Sequence, residues 1–224
     1  MGNHRHRLPG LRVRRALGLL SLAAASVPAF AADCPTGQFR AHDGPDTASA
    51  LEIAPNGRFR YVLSEGAVDE GAEGKWICDQ GVLKLTTLPT PKPAEFRLDK
   101  VSDSKDADFA LIVTGPDGRS IAAVDFRLEM PQGEPVTGYT QDDGWSRDLG
   151  NTRPVSVQVA EPFFGTVSPV FPLPQRKGIK IHIVLIPNDI GVAAFKDTPV
   201  TQEDDRLVLH WRGRAIPYRL ATED

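Results

Sequence analysis

Val124-Asp125-Phe126-Arg127-Leu128-Glu129-Met130 sets an apolar side chain at every second position and a charged one between. A period of two is that of a strand with one face on a core and the other in water; a helix needs apolar residues three and four apart. The same alternation recurs on both sides of this stretch. Phe59, Tyr61 and Leu63 share a face opposite Arg58 and Arg60, and Leu83 and Leu85 alternate with Lys84 and Thr86. Val155, Val157 and Val159 flank Ser156 and Gln158, and Leu207, Leu209 and Trp211 end the series. Pro55-Asn56-Gly57, Gly115-Pro116-Asp117-Gly118, Asp142-Asp143-Gly144 and Pro187-Asn188-Asp189 supply tight-turn chemistry between these runs. Short strands at this spacing predict an all-β fold of sandwich or barrel type.

Residues 1–31 read as an export signal outside that fold. Arg5, Arg7, Arg12, Arg14 and Arg15 form a cationic start without an acid, residues 16–27 are an apolar run, and Ala29-Phe30-Ala31 offers a signal-peptidase site. The run is too short to span a bilayer, which takes about 20 apolar residues. Arg14-Arg15 leaves export by the general or the twin-arginine route open. Asp33 before Cys34 spoils a lipobox, so no lipid anchor is expected. The expected location is the periplasm of a Gram-negative bacterium, with the extracellular space as the other possibility. Without the five arginines of the signal, 21 Lys+Arg face 29 Asp+Glu, a formal charge of −8. Such a chain repels phosphate backbones and anionic lipid, so no nucleic-acid partner is expected. No later stretch is apolar enough to span a membrane. Cys34 and Cys78 are the only cysteines, and in an oxidising compartment they are expected to pair, tying down the new N-terminus.

Thr87-Leu88-Pro89-Thr90-Pro91-Lys92-Pro93-Ala94 places three prolines at alternate positions, which favours an extended polyproline connector. Taken as a linker, 87–94 divides the mature chain into a small disulfide-tied β unit at 34–86 and a β-sandwich at 95–224. The first unit is short for a self-sufficient core and is expected to dock on the second.

Two family resemblances follow from particular residues. A strand at 109–113, the turn Gly-Pro-Asp-Gly-Arg, a strand at 120–128 and then Thr140-Gln-Asp-Asp-Gly-Trp145 resemble the transthyretin-like sandwich known as the carboxypeptidase regulatory-like domain, over about 107–187. Strands at 154–159 and 179–186 would complete it. The resemblance implies a seven-stranded, non-enzymatic module. Gly57-Arg-Phe-Arg-Tyr61, Gly74-Lys-Trp76 and Val82-Leu-Lys-Leu85 are similar in order to half of a lipocalin-like barrel.

No catalytic constellation stands out. His42, His182 and His210 follow the signal, none at metal-ligand spacing from another. His182, within Ile-His-Ile-Val-Leu-Ile, reads as a core or inter-sheet histidine bonded to a backbone carbonyl, and His210 as solvent-edged. No Gly-x-Ser-x-Gly and no phosphate-binding glycine loop occurs. Asp142-Asp143 and Glu203-Asp204-Asp205 offer oxygens of the kind calcium takes, but acidic turns are usually only solvated. No metal or cofactor is expected. One stretch does stand apart: residues 161–174 pack Phe163, Phe164 and Phe171 with four prolines between strands. This loop either folds over the open end of the sandwich, wedges between the two units, or presents an aromatic surface to a ligand or partner. The resulting expectation is an exported, non-catalytic binding module for another envelope protein or a surface glycan, with these phenylalanines as its site. The competing reading is a carrier of a small apolar ligand, in a cavity lined by Phe59, Tyr61 and Trp76.

Overall fold

The structure, a computed structural model, describes residues 34–42 and 45–221. Residues 1–31, read above as an export signal, and the cleavage site expected there lie outside the described residues. The fold is all-β, and no helix among the described residues is long and apolar enough to cross a membrane.

The chain opens with β1 (Gly37–His42), β2 (Thr47–Ile53), β3 (Arg58–Glu65), β4 (Val68–Asp79) and β5 (Val82–Thr87), an antiparallel meander. Phe39, Leu51, Ile53, Phe59, Tyr61, Leu83 and Leu85 turn inward and are almost fully buried. Their charged neighbours Glu52, Arg58 and Arg60 point out. Gln80 and Gly81 (φ 51° and 82°) make the β4–β5 hairpin, the two-residue turn that needs left-handed backbone at both central positions. Cys34 and Cys78 form a disulfide that fastens the start of the described chain to the far end of β4.

Nine strands follow: β6 (Glu95–Asp103), β7 (Phe109–Thr114), β8 (Asp125–Glu129), β9 (Val136–Tyr139), β10 (Trp145–Arg147), β11 (Ser156–Glu161), β12 (Thr166–Val167), β13 (Phe171–Pro172) and β14 (Ile179–Ile186). They form two sheets, β10-β7-β14-β6 and β12-β11-β8-β9, with β13 also on β11. β14 lies parallel to β7, while the other pairings are antiparallel. Phe109, Leu111, Val113, Ile181 and Ile183 of one sheet share a core with Phe126, Leu128, Val157 and Val159 of the other. The quoted stretch 124–130 thus behaves as its alternation predicts: Val124, Phe126 and Leu128 are at most 3 % exposed. Trp145 packs against Phe126 and Phe109, with ring centroids 4.6 and 6.2 Å away.

The last three strands, β15 (Thr198–Glu203), β16 (Arg206–Trp211) and β17 (Arg214–Leu220), return to the first five. β15 pairs with β5 and β17 with β1, so eight strands close into a barrel in the order β1-β17-β16-β15-β5-β4-β3-β2. Residues 198–220, expected in the second unit, therefore complete the barrel begun by 37–87. Closure is the physical reason, because it removes the two exposed edges that β1 and β5 would otherwise present. The 88–94 segment is also fastened. Leu88 N–H donates to Glu73 O (2.9 Å), and Lys92 N–H and O pair with Asp189 Oδ2 and N–H (2.7 and 3.1 Å). The outgoing and returning connections between barrel and sandwich are thus tied to each other.

Candidate functional site

Phe163 and Phe164 sit on the turn from β11 to β12. Glu161 continues the inward phase of Val157 and Val159, so its carboxylate is buried at 7 % exposure. Its two oxygens accept the backbone N–H groups of Phe163 and Phe164, each at 2.9 Å. A charged acceptor on two consecutive amides fixes the turn, and Gly165 (φ 72°) completes it. The three phenylalanines then part company. Phe163 is 51 % exposed, and Val167 and Val170 later in the same loop are exposed as well. Phe164 is half-buried against Gly191, where a Cβ would stand 3.2 Å from Asp69 O. Phe171 packs on the sandwich core.

Phe164 forms one wall of a cleft of about 500 Å³ at the barrel mouth. The linker 91–94, the turn 164–167 and the returning segment 189–194 make its other walls, and Glu70, Trp211 and Arg212 stand on the barrel rim. Glu70 shares the inward phase of β4 with Ala72, Gly74 and Trp76, and its side chain is 1 % exposed. Arg212 Nη1 lies 2.7 Å from Glu70 Oε1, close enough to pair charges, yet neither carboxylate oxygen has an aligned hydrogen bond. Arg212 also lies over the Trp211 ring, 5.2 Å from its centroid. It does so from a left-handed backbone (φ 49°) in the two-residue turn with Gly213 (φ 74°). The Trp211 Nε1–H is buried without a partner as well. Burial first, then Tyr218 and Glu70, raise the Tyr61 pKa above its ordinary value, against Arg212 and a hydrogen bond with Ser49. Deeper still, Ser49 donates to Val62 O and bonds the Tyr218 hydroxyl, both at 2.6 Å. Burial drives the Tyr218 pKa up to about 12.

The interior cavity expected from Phe59, Tyr61 and Trp76 is occupied. Phe59 and Tyr61 are 3 % and 1 % exposed, and Phe195, from the returning segment, inserts among them. Its ring centroid lies 5.8 Å from Phe59, 5.1 Å from Tyr61 and 4.8 Å from Trp211. Thr87 fastens this plug: its Oγ1 accepts Phe195 N–H (3.0 Å) and donates to Ala193 O (2.7 Å). Trp76 packs on the barrel core near the opposite end of β4 and donates Nε1–H to Ala54 O (2.9 Å).

His182 departs from its reading as a core histidine on a backbone carbonyl. It stands on the outer face of β14, with Nδ1 2.7 Å from Asp99 Oδ2 and Nε2 2.9 Å from Thr114 Oγ1. The register of β14 on β6 steps from Lys100 to Leu98 across His182 and Ile183, leaving Asp99 as the bulged residue and turning its carboxylate toward the ring. With Asp99 accepting from Nδ1–H, Nε2 accepts from the threonine hydroxyl, a relay of the acid–base kind. Thr114 is 4 % exposed, so its hydroxyl is out of reach of a substrate in this conformation. His210 is exposed, as its sequence position suggests, and bonds Thr201 Oγ1 at 2.9 Å. Asp142-Asp143 and Asp204-Asp205 occupy exposed turns. Among the described residues, no three His, Cys, Asp or Glu side chains are grouped to hold a metal ion.

Sequence reasoning passed over Glu70, Arg212, Asp99, Thr114 and Phe195. Glu161 and Glu70 each carried a legible signal, an acid in the inward phase of its strand. Comparison with family models, with curated proteins and with solved structures gave no match.

Proposed function

We propose that the chain is an exported, non-catalytic binding module of the cell envelope, with another envelope protein or a surface glycan as its partner. The exposed Phe163 at the barrel–sandwich junction is its leading contact. One observation carries this reading: a buried carboxylate clamps two consecutive amides to hold an aromatic side chain half in water. Ordering a turn costs conformational entropy, and burial of Phe163 does not offset that cost. A rigid aromatic presented in advance loses little further freedom on binding, which is how interface anchors operate. The resemblance to the carboxypeptidase regulatory-like domain, itself a non-enzymatic module, supports the same reading, although residues 95–186 form two sheets of nine strands where it implies seven.

The test is retention of the purified mature protein on an immobilised envelope fraction, wild type against Phe163→Ser. Retention that falls at least tenfold in the variant, with the melting temperature within a few degrees of wild type, supports the reading. Equal retention, or none by the wild type, overturns it.

A further inference from the structure

We infer that the barrel mouth is a saccharide site, in which Glu70 and Trp211 bind neighbouring hydroxyls of a sugar ring and Arg212 is the group the sugar displaces. This rests on the binding-module reading and names the class of ligand.

Glu70 Oε1 and Oε2 and the Trp211 Nε1–H are buried at the barrel mouth without an aligned hydrogen bond. Each such group costs about 1–3 kcal/mol when left unmade, and folded proteins satisfy the great majority. The chemistry of the set restricts what can satisfy it. The carboxylate takes only donors and the indole only an acceptor. An anion meets Glu70 and is repelled. A simple cation meets Arg212 and leaves the indole N–H unanswered. A hydroxyl both donates and accepts, and vicinal hydroxyls on one ring reach adjacent partners together. The cleft above the rim, about 500 Å³, falls within the common size range of small-ligand pockets.

Arg212 now stands where those hydroxyls would go, beside Glu70 and over the Trp211 ring. Its side chain is 50 % exposed, on a long flexible stem, and is free to swing into water. A ligand that donates to Glu70 replaces the guanidinium without leaving the carboxylate buried and unpaired.

The test follows the indole N–H signals of the mature protein by ¹H–¹⁵N NMR. The chain has three tryptophans, and Trp211→Phe assigns the relevant peak. The probes are the methyl glycosides of glucose, galactose, mannose and N-acetylglucosamine at millimolar concentration, with tetramethylammonium chloride and sodium sulfate as ionic controls. The expected result is a saturable shift of the Trp211 signal with at least one glycoside and with neither salt. Glu70→Gln, nearly isosteric, is expected to weaken it at least tenfold. Arg212→Ala, which removes the occupant, is expected to reach saturation at several-fold lower concentration. No saturable shift with any glycoside, an equal shift with either salt, or wild-type behaviour in both variants overturns the inference. Retention on the envelope fraction, run in parallel, separates the two claims. Phe163-dependent retention with silent glycosides removes the saccharide site alone, whereas loss of both removes the binding-module reading too.

Discussion

Replacing Phe195 by Ala probes whether the barrel is a filled core or a container. Phe195 is 3 % exposed, so truncation forfeits most of the burial free energy of a phenylalanine, about 1.5–3 kcal/mol. It also breaks the contacts with Phe59, Tyr61 and Trp211, aromatic pairs each contributing about 0.5–1.5 kcal/mol. These terms overlap, and buried Phe→Ala changes cost about 3–5 kcal/mol, which is the expected loss here. The Thr87 hydrogen bonds pin the backbone at 193–195, so the site is poorly able to collapse and the loss should fall in the upper half of that range. At about 2–4 °C per kcal/mol for a chain of this size, the melting temperature falls by roughly 8–20 °C. Urea unfolding followed by tryptophan fluorescence gives the free energy. Benzene uptake, read as a ligand-induced rise in melting temperature, reports the new hole, because dry apolar cavities accept such probes. A loss under about 1 kcal/mol, or benzene uptake by the wild-type protein, would refute the filled barrel and restore the apolar-carrier reading.

Reduction of the Cys34–Cys78 bond, or Cys34→Ser with Cys78→Ser, releases a crosslink spanning 44 positions and should cost about 4 kcal/mol by loop-closure entropy, measured by urea unfolding; an unchanged midpoint would contradict it. Tyr218, with its pKa driven up to about 12, is neutral in the fold where the unfolded chain ionises near pH 10. Its contribution is therefore complete below about pH 10 and is lost as pH rises toward 12, about 2–3 kcal/mol in all, and Tyr218→Phe should flatten that alkaline fall in a pH series of unfolding curves. Glu161→Ala removes a charged acceptor from two amides and should lower stability by about 2 kcal/mol while abolishing Phe163-dependent retention; unchanged protection of the amides of Phe163 and Phe164 in hydrogen exchange would refute the clamp.

The strands were legible because their period is local. Phe59 and Tyr61, Leu83 and Leu85, and Phe126 and Leu128 all turn the face that the alternation assigns them. Barrel closure was not, because β1 meets β17 and β5 meets β15 across most of the chain, and no neighbouring residue encodes a partner so distant. The barrel mouth was hidden for the same reason: Glu70, Phe195 and Arg212 meet only once the barrel closes. The relay at His182 depends on a bulge at Asp99, and one extra residue in a strand leaves no mark in composition or period. At 161–174 the composition located an unusual loop, while the separate fates of Phe163, Phe164 and Phe171 follow from the Glu161 clamp.

Site-specific photocrosslinking in the producing cell tests the binding module most directly. A benzophenone amino acid placed at Phe163 samples whatever lies within a few ångströms, protein or glycan. The same group at Tyr139, which is 57 % exposed on β9, serves as the control. A discrete adduct formed from position 163 and not from 139 is the expected result. Equal labelling from the two positions, or none from 163, would contradict the account.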